Sequence, residues 1–291
     1  MPGPAITPLR TPGRAPRVLT IDAEDWFHVC GDDYYSDPRR WDSFPSRFDR
    51  TFTDLLDRLD RGGHRATIFF LGWIAARHPG LVREAARRGH EIALHGDLHR
   101  RADELTPEEF RADLRRAADR VEKAAGVRAE LHRAAEWSIR SPEDPALAIL
   151  AAEGFRADAS MTSMPPLGRA GNPLGPHRVE TAAGPLIEIP PLTGRGFGRR
   201  VPAGGSWGFR TLSPAKLAAA EAHYRDIGHP AVFTFHPWEF DSESPPMDGL
   251  PPVTRLVLFA GRRALPARFD AWLAQDRCVS LGEALAELQV A

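Results

Sequence analysis

The sequence predicts an α/β fold built on parallel strands, and three observations carry that prediction. Short apolar runs at 17–22, 66–71, 90–94 and 231–235 are bounded by Gly, Pro or charged residues, as buried strands are. Stretches of helical period lie between them, and alternation of the two along one chain marks parallel strands joined by crossover helices. Finally, acids and imidazoles collect immediately after three of the runs, at Asp22, His95 and His236.

The first strand, 17–22, runs straight into Asp22-Ala23-Glu24-Asp25. A helix follows over 48–60, with Leu55, Leu56 and Leu59 inward and Gly62-Gly63 as its stop. Residues 66–71 form a continuous apolar strand, Pro79 opens a helix ending near Gly89, and 90–94 is the next strand. Thr106-Pro107-Glu108-Glu109 has the makings of a capping box with proline at the first helical position. Phe110, Leu114, Ala117, Val121 and Ala125 then trace one face until Gly126. Further helices are predicted over 144–153 and 213–226, and a strand over 231–235. The Gly- and Pro-rich stretch 161–208 interrupts the alternation and reads as a long functional excursion with short strands such as 186–189. A polar, Pro-rich segment at 241–252 precedes helices near 266–274 and 281–288. The organisation expected is a flexible tail at 1–16, a catalytic domain over 17–240, and a carboxy-terminal extension over 241–291 packed on it.

Composition narrows the function. Hydrophobic residues make up 42% of 291, enough for a sizeable core. Lys and Arg number 38 against 39 acids, so the net charge of −1 gives no global field to draw nucleic acid. No stretch is apolar over the 18 or more residues of a membrane span, and the amino terminus lacks the apolar run of a signal peptide. The expectation is a cytoplasmic protein with no integral membrane span and no nucleic-acid partner. Cys30 and Cys278 are too few for a disulfide framework or a zinc finger and read as free thiols, with one long-range bridge as the alternative.

Carboxylates at the end of a buried strand must be solvated, paired or bound to a metal. Asp22, Glu24 and Asp25 stand within four residues, His95 and His99 follow the strand at 90–94, and His236-Pro237-Trp238-Glu239 follows that at 231–235. Imidazoles with a carboxylate suit zinc or a similar first-row metal. His95 and His99, at i and i+4, can share a helical face or a loop turn. The plainer alternatives are a solvated or capping acid cluster, surface histidines beside Arg100-Arg101, and a core His236.

Taken together these segments resemble the polysaccharide deacetylase family, carbohydrate esterase family four, and more narrowly its exopolysaccharide-associated branch with an Asp-x-Glu-Asp-Trp-Phe opening. The resemblance rests on Asp22-Ala23-Glu24-Asp25-Trp26-Phe27-His28-Val29, on residues 66–73 with His78-Pro79, on the histidine motif at 89–99, on Gly154-Phe155-Arg156-Ala157-Asp158-Ala159-Ser160, and on His236-Pro237-Trp238-Glu239. It implies a distorted (β/α) barrel of about seven strands. It also implies a zinc-type divalent cofactor, a carbohydrate substrate, and removal of N-acetyl groups from amino sugars such as N-acetylglucosamine. On this reading Asp22 is the general base and His236 the general acid. His95 and His99 are metal ligands, with Glu24 or Asp25 as the third. Strand alternation favours Glu24 on the face of Asp22, whereas a strand ending at Asp22 lets Asp25 turn in, and either acid has a capping role as its alternative. Arg133, in His132-Arg133-Ala134-Ala135-Glu136-Trp137-Ser138, would pair with the base; Ala135 and Trp137 depart from the family's proline and phenylalanine there. Asp158 would orient His236. Trp26, Trp207 and Trp238 would stack on a sugar or belong to the core. The rivals are hydrolysis of another C–N bond, of imide or ureide type, and a sugar-binding homologue without catalysis.

Overall fold

A computed structural model describes residues 3–165, 167–196 and 199–291. In chain order its strands are β1 (Ile6–Arg10), β2 (Arg17–Ala23), β3 (Thr67–Phe70), β4 (Glu91–Leu94), β5 (Leu131–His132), β6 (Ala157–Asp158) and β7 (His177–Thr181). They continue with β8 (Gly184–Glu188), β9 (Gly194–Gly196), β10 (Arg199–Val201), β11 (Ala231–Phe235), β12 (Cys278–Val279) and β13 (Gln289–Val290). Seven strands run parallel in the order β11-β2-β3-β4-β5-β6-β8, and the sheet then turns antiparallel through β7, β1 and β13. The expected α/β architecture with about seven parallel strands is therefore present, within a mixed sheet.

The parallel part curls. Val18, Phe69, Ala93, Leu131, Ala157 and Val232 come from six different parallel strands and share one apolar cluster with Ile189, just past β8. Leu281, Ala284 and Leu285 complete it from the helix Leu281–Leu285, which plugs the bottom. The outer edge of β11 is met by the chain leaving β8: Leu192 N–H donates to Val232 O (3.0 Å), and Thr234 N–H donates to Gly204 O (2.8 Å). Helices cover the outside. The helix Phe48–Arg61 buries Phe48, Phe52, Leu55, Leu56 and Leu59, and Pro107–Ala125 carries the predicted capping box, with Thr106 accepting from Glu109 N–H. Its stop, Gly126, has φ +75°, a left-handed conformation that glycine adopts without a Cβ clash.

Two expectations are corrected, and one helix is added. The tail expected at 1–16 carries a paired strand: β1 pairs with β7 and β13, partners too far along the chain for local composition to reveal. The segment 241–291 is not merely laid on the outside, because β12 pairs with β2 inside the main sheet. The helix Gly72–Arg77 was not foreseen; it is short and begins on a glycine, so it has little periodicity to read.

Candidate metal centre and active site

Parallel strands all deliver their carboxy-terminal ends to one rim, and that is where the polar residues gather. Val18, Thr20 and Asp22 alternate onto the inner face of β2, the apolar position deepest and the acid at the top. Glu24 follows after a tight turn in which its N–H donates to Asp22 O (3.0 Å). His95 follows β4, Arg133 follows β5, and His236 follows β11.

Glu24 Oε1 stands 3.0 Å from His95 Nε2 and 3.0 Å from His99 Nε2. The ligand atoms of these three residues lie within 4.8 Å of one another, and all three side chains are buried. His95 Nδ1 donates to the Arg133 carbonyl (2.8 Å), so Nε2 is the atom turned to Glu24, a donor when it carries a proton and a lone pair for a cation when it does not. His99 Nδ1 lies 3.4 Å from Cys30 Sγ, whose S–H donates to His99 O. His99 reaches the site from a loop turn rather than a helix, with φ +51°, a strained setting of the kind that collects at functional sites. The turn is bolted from behind: buried Asp97 accepts from Arg120 (2.6 Å) and Arg116 (3.2 Å), and its N–H donates to Asp113 (2.7 Å).

Two ring nitrogens facing one carboxylate oxygen in a buried cluster call for positive charge between them. Burial raises the Glu24 pKa, but the charges of His99 and His236 and a hydrogen bond from His95 hold it well below the usual carboxylate range. Burial likewise opposes a charge on His99, yet Cys30 and Glu24 lift its pKa well above the ordinary imidazole value. Protons can supply that charge, and so can one divalent cation bound by two nitrogens and an oxygen. The donor set fits such an ion.

Asp22 stands beside this cluster. Its Oδ1 accepts from Arg133 Nη1 (2.7 Å), while its Oδ2 lies 4.0 Å from His95 Nε2 and 3.8 Å from His236 Nε2. Arg133 is enclosed in the curl of the sheet, its guanidinium 4.3 Å above the Phe69 ring and also donating to Thr20 and Ala159 O. A carboxylate and an imidazole 3.8 Å apart are close enough for one small group to reach both. His236 is oriented by Glu239, whose Oε2 lies 3.0 Å from Nδ1, leaving Nε2 toward the site. Burial works against a charge on His236, but Glu24, Glu239 and Asp22 overcome it and raise its pKa to about 9. Glu239 is itself held by Arg210 (3.1 Å).

Other candidates are placed elsewhere. Asp25 turns away from the imidazoles and accepts from Trp26 N–H (2.9 Å), Ser46 Oγ (2.6 Å) and Arg47 N–H (3.1 Å), pinning the start of the helix Phe48–Arg61. Asp158 does not orient His236. It bonds His132 Nδ1 (2.8 Å) and Ser160 Oγ (2.8 Å) from β6, and Glu239, three residues past the imidazole, occupies the orienting position instead. The signal for Glu239 was in the chain: Pro237 and Glu239 fill the first and third positions of a capping box that His236 opens. Trp26 is a core residue, packed against Phe27, Tyr35 and Phe44, with its indole N–H donating to Pro45 O. Trp238 is also buried, with His236 5.7 Å away and Arg262 5.2 Å from its ring centroid. Trp207 remains half-buried on the helix Ser206–Thr211. Trp137 is half-buried too and lies against Gly205 at the start of that helix. Cys30 and Cys278 are both free thiols.

Because Asp25 serves three donors while buried, Asp25→Ala is expected to cost about 1–3 kcal/mol of stability. Urea denaturation would read that loss, and metal content should be unchanged.

Comparison with known proteins bears on the same segments. Residues 40–156 match the polysaccharide deacetylase family model, and residues 159–286 match a domain of unknown function (DUF3473). The first match takes in His95, His99 and Arg133, the second takes in His236, and Asp22 and Glu24 precede both. No curated protein matches the chain in sequence. Among solved structures, a provisionally assigned polysaccharide deacetylase from Mycobacterium smegmatis superposes with a TM-score of 0.61 at 23% identity, over 95% of this chain and 94% of that one. A CE4 family pseudoenzyme from Bacillus anthracis gives 0.52 at 14% identity, over 95% and 67%. A peptidoglycan N-acetylglucosamine deacetylase gives 0.51 at 14% identity, over 95% and 90%. These likenesses are of fold, and residues 40–156 are in addition similar in sequence to the polysaccharide deacetylase family.

Proposed function

We propose that the protein is a metal-dependent hydrolase that removes N-acetyl groups from amino sugars of a polysaccharide or its precursor, releasing acetate. The observation that carries this reading is the convergence of a Glu/His/His cluster, an arginine-paired aspartate and a glutamate-oriented histidine at one strand rim. Glu24, His95 and His99 would hold a divalent cation, zinc by the nature of the donors. When bound, it would polarise the acetyl carbonyl and make water acidic enough to attack near neutral pH.

The chain's own residues account for the protons. Asp22 Oδ2, free of Arg133, accepts the proton of the attacking water as its oxygen bonds to the carbonyl carbon. Arg133 fixes the other oxygen. The C–N bond then breaks, and His236 gives its Nε2 proton to the departing nitrogen. The products are acetate and a free amine. His236 is suited to that role because three surrounding carboxylates keep it protonated to about pH 9, and Glu239 fixes the ring by the opposite nitrogen. Trp207 and Trp137 are half-buried aromatic residues whose partly open rings would offer apolar surface to the face of a sugar.

A catalytically inactive carbohydrate-binding homologue is the second reading, favoured by a pseudoenzyme among the structural neighbours. One assay separates the two. Acetate release should be detected from a panel of N-acetylated glycans, vanish with chelator and return with added zinc, cobalt or nickel. Absence of acetate from the whole panel with metal supplied would favour the binding protein. Release of ammonia from imides or ureides instead would move the activity to another C–N bond.

A further inference from the structure

We propose that the helix Pro252–Phe259 is an interfacial docking element that seats the catalytic rim on an anionic lipid surface. None of its residues is buried. Val253, Leu256 and Val257 are 73%, 62% and 41% exposed, and their i, i+3, i+4 spacing puts them on one stripe. Leu258 and Phe259 pack against the core from the other side of the helix, so the bare stripe faces outward. The remaining large exposed apolar side chains, such as Val127, Ile227 and Val290, stand singly on separate elements and need no such account.

Charge indicates what covers the stripe. From 251 to 269 the chain has no Asp or Glu but carries Arg255, Arg262, Arg263 and Arg268. Arg255 and Arg263 are exposed and make no ion pair among the described residues. An exposed apolar stripe on a segment whose only charged side chains are arginines matches the boundary between acidic headgroups and acyl chains. A second copy of the chain fits poorly: a two-fold contact would set Arg255 and Arg263 against their own mates, and three side chains fall far short of the roughly 1,200 Å² of a stable interface. No helix among the described residues is long and apolar enough to cross a membrane, so the element lies on the surface of the bilayer.

Position gives the docking a consequence for the site. Arg210 donates to the Val257 carbonyl (2.9 Å) and to that of Ala260 at the helix end, and also pairs with Glu239, the residue that orients His236. Arg262, just beyond the helix, donates to the carbonyls of Trp238 (2.7 Å) and Asp241 (2.6 Å). The stripe is thus tied to the motif that carries His236, and a bilayer under it brings membrane-bound glycan to the rim. The inference stands on exposure and charge and does not require the N-deacetylase chemistry.

Sedimentation of the full chain with phosphatidylcholine vesicles, with and without 30 mol% phosphatidylglycerol as a test composition, examines it. Binding should be at least about tenfold stronger with phosphatidylglycerol and should fall in high salt. Val253→Asp with Leu256→Asp should reduce it about tenfold, and Arg255→Glu with Arg263→Glu should erase the preference for the acidic lipid. Both changes fall on exposed positions, so thermal midpoints should stay within a few degrees of the parent. Absence of vesicle binding, or equal binding by the aspartate variant, overturns the proposal. So does a dimer, seen by light scattering, that the aspartate variant dissociates, since the stripe would then belong to a second copy.

Discussion

Asp22→Asn is expected to lower turnover of an N-acetylated glycan by roughly 10²–10⁴ while the bound metal stays at the wild-type level. The substitution preserves size and leaves an oxygen to accept from Arg133 Nη1, so the enclosed guanidinium keeps its partner. What disappears is the carboxylate oxygen that faces His95 and His236 and takes the proton. On the proposed mechanism the alkaline limb of the pH profile in the parent belongs to His236. The imidazolium is present below its pKa and lost above it, so the alkaline limb should fall near or below pH 9. A cation on Glu24 offsets part of the negative charge that raises that pKa and moves the limb toward lower pH. In Asp22→Asn the alkaline limb should remain. Near-wild-type turnover would place the base elsewhere, and Glu24 would then have to be reconsidered as more than a metal ligand.

Much of this site was legible in the chain because strand ends declare themselves. An apolar run that stops on an acid or imidazole fixes both the element and the height of the polar residue. Asp22, His95 and His236 all follow such runs, and the parallel order β11-β2-β3-β4 brings them to one rim. The strand at 231–235 was read to the residue. Partners set by tertiary contact were harder. Whether Glu24 or Asp25 faces the imidazoles depends on the turn after Ala23 and on the needs of a helix twenty residues later, whose first donors claim Asp25. Asp158 was assigned to His236 through a family motif, but that motif cannot show that Glu239 stands closer. The strand β1 and the place of β12 depend on pairing across most of the chain, which local periodicity does not register.

The two family matches divide the chain near residue 157, yet the sheet runs through that point, with β5, β6 and β8 paired in succession. Physically the proposed chemistry spans both parts. The Glu24, His95 and His99 cluster sits on the first strands, while His236, Glu239 and Arg210 come from the second part. The second part also contributes the helix Leu281–Leu285 that fills the bottom of the curl and the exposed helix Pro252–Phe259. It therefore completes the site and the core together, which argues for one cooperative unit over a catalytic domain with an appendage.

The sharpest separation between the candidate ligands comes from His95→Ala set beside Asp25→Ala. His95 is fixed at both ends of its ring, by the Arg133 carbonyl at Nδ1 and by Glu24 at Nε2, so little freedom is left for another group to replace it. Its removal takes one of three protein ligands, and metal affinity should fall by at least about tenfold, with activity lost in parallel. Metal analysis after dialysis should find most sites empty, and excess zinc should restore only part of the turnover. Glu24 keeps His99 as a partner at 3.0 Å, so the variant should still fold, which circular dichroism would verify. Asp25→Ala should behave the other way, with lower stability but full metal content, because its oxygens serve Ser46, Trp26 and Arg47 and face away from the imidazoles. A His95→Ala protein with a full complement of tightly held metal would remove this cluster as the metal centre. Metal loss in Asp25→Ala with stability unchanged would exchange the two acids, returning Glu24 to a supporting role and placing Asp25 on the ion.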